Sequence, residues 1–311
     1  MAENRLLVTG ATGFVGSWTL RHWRAVYPEV EVWATSNQSA SIAELSYKFS
    51  VFDVRDGNAV RKFVRACNPT HVIHLAGLVS EASLAEHLAV NVLGTENLYN
   101  ALAEMDCSKD LRVIQAGTAA IYGQVAPKEL PISEKNPFRP LTAYAMSKMA
   151  QDYLADMLWR TRGLGVIRAR IFNLLGPGQP KHLVPVTFIR QLKAIHEGDS
   201  LRVGNLATRR DFVDVRDVVL AFDRLLTDGR PGEAYNIASG KSIAIWDIVN
   251  ELISMSRLND ISIKPEYERI RTNDVPDVIG DITAIAKAVG WQPQISVRES
   301  LEAMWEEYFS D

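Results

Sequence analysis

The junction between Arg5-Leu-Leu-Val-Thr9 and Gly10-Ala-Thr-Gly13-Phe-Val-Gly16 constrains this chain more than any other stretch. The first run reads as a buried strand, and the glycines permit a tight turn with a helix packed closely against that strand. The same alternation then repeats. Arg5–Thr9, Glu31–Thr35, Phe49–Phe52, His71–Leu75, Leu111–Ala116 and Val166–Ile171 read as strands. Helical patterns lie between them near Val15–Val26, Gly57–Cys67, Leu84–Met105 and Tyr144–Arg162. Strand and helix in alternation predict right-handed crossovers and a parallel sheet covered on both faces. The expected fold class is therefore α/β, a doubly wound Rossmann sheet whose ligands lie beyond the carboxyl ends of the strands.

After about Asn173 the texture changes. Gly176-Pro-Gly-Gln-Pro180 reads as a loop, and shorter elements alternate less regularly to Asp311. Val215–Leu226, Ile243–Met255 and Val297–Tyr308 keep a helical period. We expect a dinucleotide-type domain over 1–173 and a smaller α/β substrate-binding portion over 174–311, with some of its elements returning to the first domain. The 311 residues suffice for a sizeable core. A formal charge of -3 gives no basic face for nucleic acid. The two cysteines, Cys67 and Cys107, both fall in helical patterns, which argues against a disulfide framework or a Cys-based metal site. The early first strand leaves no room for a signal peptide, and no apolar run approaches the roughly 18 residues of a membrane span. A cytoplasmic enzyme without membrane or nucleic-acid partners is the expectation.

At the first turn, Gly10, Gly13 and Gly16 let the backbone approach a pyrophosphate, and the helix that follows offers unpaired N–H groups and a positive dipole end. The spacing is G-x-x-G-x-x-G rather than G-x-G-x-x-G. The end of the second strand, Trp33-Ala-Thr35-Ser36-Asn37, carries no carboxylate that would bind ribose hydroxyls. Thr35, Ser36 and Asn37 are candidate donors to a 2′-phosphate, so NADP(H) is favoured over NAD(H). Asp53, after the third strand, is a candidate acceptor for the adenine amino group; a helix cap or a turn is the alternative.

Tyr144-Ala-Met-Ser-Lys148 places a phenol and an ammonium one helical turn apart. A free tyrosine titrates near 10, and a neighbouring ammonium is expected to bring it toward neutrality, where it can exchange a proton. Thr118 closes the strand just upstream and is placed to hydrogen-bond the oxygen that Tyr144 protonates. The three together suit carbonyl–alcohol redox chemistry by hydride transfer.

Six stretches share the order and spacing of one family: Gly10–Gly16, His74-Leu-Ala-Gly77, Asn91 within Val-Asn-Val-Leu-Gly-Thr, Gly117-Thr-Ala-Ala-Ile-Tyr-Gly123, Tyr144–Lys148 and Arg170-Ile-Phe-Asn173. Over essentially its whole length the chain resembles the extended short-chain dehydrogenase/reductases. The resemblance implies that Thr118, Tyr144 and Lys148 form the catalytic triad, with Lys148 also holding the nicotinamide ribose. It places Thr12, Phe14, Val15, Val54, Leu75, Ala76, Gly77, Asn91 and Ile171 with the glycines around the cofactor. Asn91 is expected to hold the lysine through a water or backbone relay. Asn173 is expected to touch the substrate's diphosphate or sugar, and Ser80 and Glu81 to line the sugar pocket. His74 is expected to be a buried, satisfied ring, and His182 is a weaker substrate candidate.

In the second half, Val203–Leu206, Arg209–Asp217 and Arg271-Thr-Asn-Asp-Val-Pro276 resemble the branch of that family that acts on GDP-mannose derivatives. Arg210 and Arg271 are the phosphate candidates, because planar guanidinium forks suit a diphosphate. Asp274 is the ribose candidate, although the branch commonly has Glu there. For Arg210 and Asp211 a local ion pair is the alternative. Related 4,6-dehydratases carry an acidic residue just after the catalytic Thr or Ser, whereas here Ala119 and Ala120 follow Thr118. The resulting expectation is NADPH-dependent reduction of a nucleotide-linked 4-keto-6-deoxyhexose, foremost GDP-4-keto-6-deoxymannose to GDP-rhamnose. A 4-epimerase with tightly bound NAD is the alternative, with a 4,6-dehydratase or a non-catalytic dinucleotide sensor ranked behind both. Apolar faces on the helices at 84–105 and 144–162 point to a homodimer.

Overall fold

The computed structural model describes residues 4–39, 47–105, 111–266 and 275–309. Among them seven parallel strands form one sheet in the order β10-β6-β5-β4-β1-β2-β3. These are β1 Arg5–Thr9, β2 Glu31–Ser36, β3 Lys48–Val51, β4 His71–His74, β5 Arg112–Thr118, β6 Val166–Ile171 and β10 Ala234–Ile237. Neighbouring residues along a strand enter opposite cores, as a pleat of period two requires. Leu6, Val8, Ile73 and Ile114 pack with Trp23 of α1 (Phe14–Val26) and Phe222 of α7 (Val215–Asp228). Leu7, Val72 and Val113 pack on the other face, with Phe63 of α2 (Gly57–Cys67), Leu102 of α4 (Gly94–Ala103) and Ala155 of α5 (Ala143–Arg162). A strand apolar on both sides cannot lie at a wet surface, so the sheet is sandwiched between helices.

The chain runs outward from β1 to β2 and β3 in one direction, then from β4 through β5 and β6 in the other. The crevice between the carboxyl ends of β1 and β4 is thus the topological switch point. The expected helix at Leu84–Met105 is three consecutive pieces: α3 Leu84–Leu88, a π-helical turn Ala89–Leu93, and α4. That wide turn is centred on Asn91, whose fully buried amide is committed to groups outside the helix.

The later elements divide between two settings. After β6 come β7 Asn173–Leu175, α6 Val184–Ala194, β8 Ser200–Val203 and β9 Arg209–Asp214. β11 Ser242–Ala244, α8 Ile245–Ser256, β12 Ser262–Pro265, α9 Thr283–Val289 and α10 Val297–Phe309 complete the chain. α6, α8 and α10 share their own core around Phe188, Ile248 and Met304. α7, β10 and α9 instead return to the main sheet, where β10 pairs with β6. The expected helix at Ile243–Met255 starts later, at Ile245, because Ser242–Ala244 pairs with β9. No described helix is long and apolar enough to cross a membrane.

Candidate active site

The glycine turn sits at the switch point, and two of its glycines are sterically obligatory. Gly10 has φ +68, and a Cβ there would lie 2.7 Å from both Ala76 N and Leu75 C. A Cβ on Gly16 would lie 2.3 Å from Gly10 O. Gly13 caps α1 with no side-chain acceptor on the first-turn amides. A helix start left uncapped beside a crevice is the cradle a pyrophosphate fits, so Gly10, Thr12, Gly13, Phe14, Val15 and Gly16 suit a dinucleotide.

At the end of β2 the candidates separate. Ser36 Oγ lies 2.6 Å from Thr12 Oγ1, and Asn37 is exposed. Thr35 is 1% exposed, and its enclosed hydroxyl has no partner. Asp53 Oδ2 takes Arg55 Nη2 at 2.6 Å, and its Oδ1 takes the Arg55 amide at 2.8 Å. The Arg55 guanidinium holds this carboxyl below its usual range. Asp53 is therefore a turn residue with an engaged carboxylate, while Asp56 caps α2. Val54 packs so tightly on Gly94 that a Cβ there would lie 2.6 Å from Val54 Cγ2. The Leu75 and Ala76 amides each donate to Thr9 Oγ1 at 3.2 Å, beside Gly77, and Ile171 ends β6 at 7% exposure.

α5 starts at Thr142, whose hydroxyl caps the Ala145 amide, and it turns Ala145, Ser147, Lys148, Gln151, Asp152, Ala155 and Leu158 inward. Tyr144 hydrogen-bonds Thr118 at the end of β5, which assembles the expected phenol and hydroxyl. Lys148, one turn further, is 7% exposed and gives its ammonium hydrogens to Ala116 O at 2.5 Å and to Gln151 Oε1. Burial lowers the Lys148 pKa to about 8, with Asp152 opposing. Burial also raises the Tyr144 pKa, and the Thr118 bond offsets only part of that. The expected depression of the tyrosine by its ammonium neighbour is not found, because that ammonium is directed into Ala116 and Gln151.

Asn91 does not touch the lysine through its side chain. Its Oδ1 accepts from Leu78 N at 2.7 Å, and its Nδ2 donates to Ser147 Oγ at 2.9 Å and to Leu78 O at 3.1 Å. Its carbonyl accepts from Thr95 Oγ1 at 2.7 Å, and Thr95 in turn accepts from Gln151 Nε2 at 2.6 Å. His74 is 1% exposed between Thr9 and Thr95, at 2.7 and 2.8 Å, and burial lowers its pKa to about 3. Gln151 and Thr95 belong to no motif that residue type and spacing single out. The available signal was helical phase, since Gln151 stands three residues after Lys148 and seven after Tyr144, on the same face. Asp152 belongs to that face too, and it binds Arg170 through two 2.9 Å contacts that fasten α5 to β6.

The described substrate candidates are engaged locally or exposed. Asn173 donates to Asp211 O at 3.2 Å, and Arg210 donates to Arg209 O at 2.8 Å and Val275 O at 2.6 Å. Asp211 accepts from Ser239, Gly240 and Gly280. Ser80, Glu81 and His182 are exposed, whereas Arg271, Asp274 and Cys107 lie outside the described residues.

A family model described as GDP-mannose 4,6 dehydratase matches residues 7–304. The chain is 33% identical over 312 residues to the GDP-6-deoxy-D-mannose reductase of Pseudomonas aeruginosa, with 97% of each chain covered. It is 30% identical over 309 residues to the GDP-6-deoxy-D-talose 4-dehydrogenase of Aggregatibacter actinomycetemcomitans, again with 97% of each covered. The structure of RMD from Pseudomonas aeruginosa complexed with NADPH superposes with a TM-score of 0.86 at 30% identity and 99% coverage of both chains.

Proposed function

This chain belongs to the GDP-mannose 4,6-dehydratase family, within the extended short-chain dehydrogenase/reductases, and we propose that it reduces the C4 keto group of a GDP-linked 4-keto-6-deoxyhexose with NADPH. The family is one of NAD(P)-dependent oxidoreductases acting on nucleotide sugars. The foremost substrate is GDP-4-keto-6-deoxymannose, giving GDP-rhamnose. One observation carries the reading: Ala119 and Ala120 follow Thr118 directly, so the position where related dehydratases keep an acid has no proton-transfer group. Without it, water is not eliminated across C5 and C6, and the carbonyl chemistry at C4 remains.

NADPH, when bound, supplies the hydride. Thr118 orients the C4 oxygen toward Tyr144, and Tyr144, held protonated by its burial, donates its hydrogen to that oxygen as the alcohol forms. Lys148 would hold the nicotinamide ribose, and solvent returns the proton to Tyr144 after the transfer. Overall, the keto sugar, NADPH and one proton give the alcohol and NADP. Ser36, Thr12 and Asn37 support the phosphorylated cofactor at the end of a strand with no carboxylate. Asn173, Arg210, Arg271 and Asp274 are proposed for the nucleotide and Ser80 and Glu81 for the sugar.

A homodimer through α3–α4 and α5 accompanies this reading. Leu84, Leu93, Met146, Tyr153 and Met157 are 42% to 57% exposed, and large apolar side chains left exposed on these segments suit a second copy. The function is tested by following NADPH oxidation against GDP-, UDP- and dTDP-linked 4-keto-6-deoxy sugars. Oxidation with the GDP sugar is expected. Silence across the panel, with NAD released only on denaturation, would replace the reading with a 4-epimerase.

A further inference from the structure

Beneath Lys148 lies a closed run of buried polar groups whose hydrogens admit one assignment. Thr95 has a single hydroxyl hydrogen, and it goes to Asn91 O at 2.7 Å. Thr95 Oγ1 must then accept from its other partners, Gln151 Nε2 at 2.6 Å and His74 Nε2 at 2.8 Å. His74, donating there and neutral, accepts at Nδ1 from Thr9 Oγ1 at 2.7 Å. The Thr9 oxygen in turn takes the Leu75 and Ala76 amides, beside the glycine turn. Each hydroxyl hydrogen is used once.

This assignment fixes the Gln151 amide, which is 1% exposed. Turned the other way, its NH2 would meet the Lys148 ammonium and its oxygen would face lone pairs on Thr95. Only one orientation satisfies both neighbours, and it presents Oε1 to the lysine.

We infer that Gln151 is a positioning residue, an amide locked by Thr95 and His74 so that its oxygen holds the Lys148 ammonium at the cofactor-binding face. The inference rests on the reading of Lys148 as the ribose-holding lysine. Asp152, the carboxylate next in sequence to Gln151, cannot take this place because Arg170 and Arg168 occupy both of its oxygens. The neutral amide thus acts where burial disfavours the ammonium, whose pKa lies at about 8.

The other ionisable groups around Lys148 leave this contribution separable. Tyr144 and Asp152 come from its own helix, and His74 comes from β4. Arg168 and Arg170 come from β6, both tied to Asp152, and His87 of α3 packs on the Tyr144 ring at 6.0 Å. None of these hydrogen-bonds the Gln151 side chain, whose partners are Lys148 and Thr95.

The test is the NADPH dissociation constant as a function of pH, read by nucleotide fluorescence, for the wild type, Gln151→Met, Gln151→Glu and Lys148→Met. A wild-type affinity break near pH 8 is expected, absent in Lys148→Met. Gln151→Met removes the acceptor, so its break should move to lower pH by about one unit, a tenfold change in the proton equilibrium. Gln151→Glu places a carboxylate on the ammonium, so its break should move to higher pH by at least about one unit. Affinity well below the break should stay within about twofold, whereas a merely structural role would lower it at every pH and leave the break in place. A break at the wild-type position in both Gln151 variants, with Lys148→Met flat, overturns the inference and leaves the lysine's role standing. A wild-type break retained in Lys148→Met overturns that role and the inference with it.

Discussion

Replacing Asp152 by Ala removes one buried carboxylate from beneath α5 and leaves its cationic partners behind. Asp152 is 1% exposed and Arg170 4% exposed, so solvent does not screen the pair. Three contacts are lost, two of 2.9 Å to Arg170 and one of 3.2 Å to Arg168. At about 1.5–3 kcal/mol for a hydrogen bond to a charged group, a simple sum would exceed what such deletions cost. Arg170 keeps the Tyr122 hydroxyl at 3.0 Å and Glu134 O at 2.9 Å, and Arg168 keeps Asp156 at 3.2 Å. The expected loss is therefore about 3–5 kcal/mol, the range for breaking a buried pair from one side. Urea unfolding should show it as a lower midpoint at an unchanged slope. Asp152→Ala combined with Arg170→Met removes the stranded guanidinium and should be less destabilised than Asp152→Ala alone. A single variant within about 1 kcal/mol of wild type would refute the argument that this pair fastens the catalytic helix to β6.

Three further outcomes follow from the same geometry. Tyr144→Phe should lower turnover about 10²–10⁴-fold while NADPH affinity, read by fluorescence, stays close to wild type; equal loss of both would remove Tyr144 as proton donor. Gly16→Ala would place a methyl 2.3 Å from Gly10 O, and displacing that rigid turn should weaken NADPH binding at least tenfold; unchanged affinity would contradict the cradle. His74 has its folded pKa lowered to about 3, so the unfolded chain binds its proton first as pH falls through about 6.5. Its contribution is complete above that pH and is lost below it at about 1.4 kcal/mol per unit toward pH 3. Wild type should thus lose stability more steeply between pH 6.5 and 5 than His74→Asn does, as measured by urea midpoints; parallel curves would refute it.

Much of this architecture was legible because period two and period 3.6 are strong in the strands and helices of the main sheet. Gly57–Cys67 and Val166–Ile171 begin and end where their patterns do. The π turn at Ala89–Leu93 was not legible, since it answers to Leu78 and Ser147, groups distant in sequence from Asn91. β7, β11 and β12 are three or four residues long, too short for a period to declare itself. At the site, Thr118, Tyr144 and Lys148 could be picked out by residue type and spacing, but the direction of the ammonium could not. It depends on Gln151, and Gln151 depends on Thr95 and His74 from other elements. Thr35 shows the converse, since a hydroxyl at the right place in the chain points into the sheet's interior.

We assign Tyr144, Thr118 and Lys148 to hydride delivery to C4 of a GDP-linked keto sugar. The most direct measurement uses NADPH deuterated at the transferring position with GDP-4-keto-6-deoxymannose, followed by NMR of the product. One deuterium at C4 of a GDP-6-deoxyhexose is expected, with one NADPH oxidised per product formed, and no incorporation in Tyr144→Phe at matched times. Product without deuterium at C4, or formed with no net loss of NADPH, would contradict it.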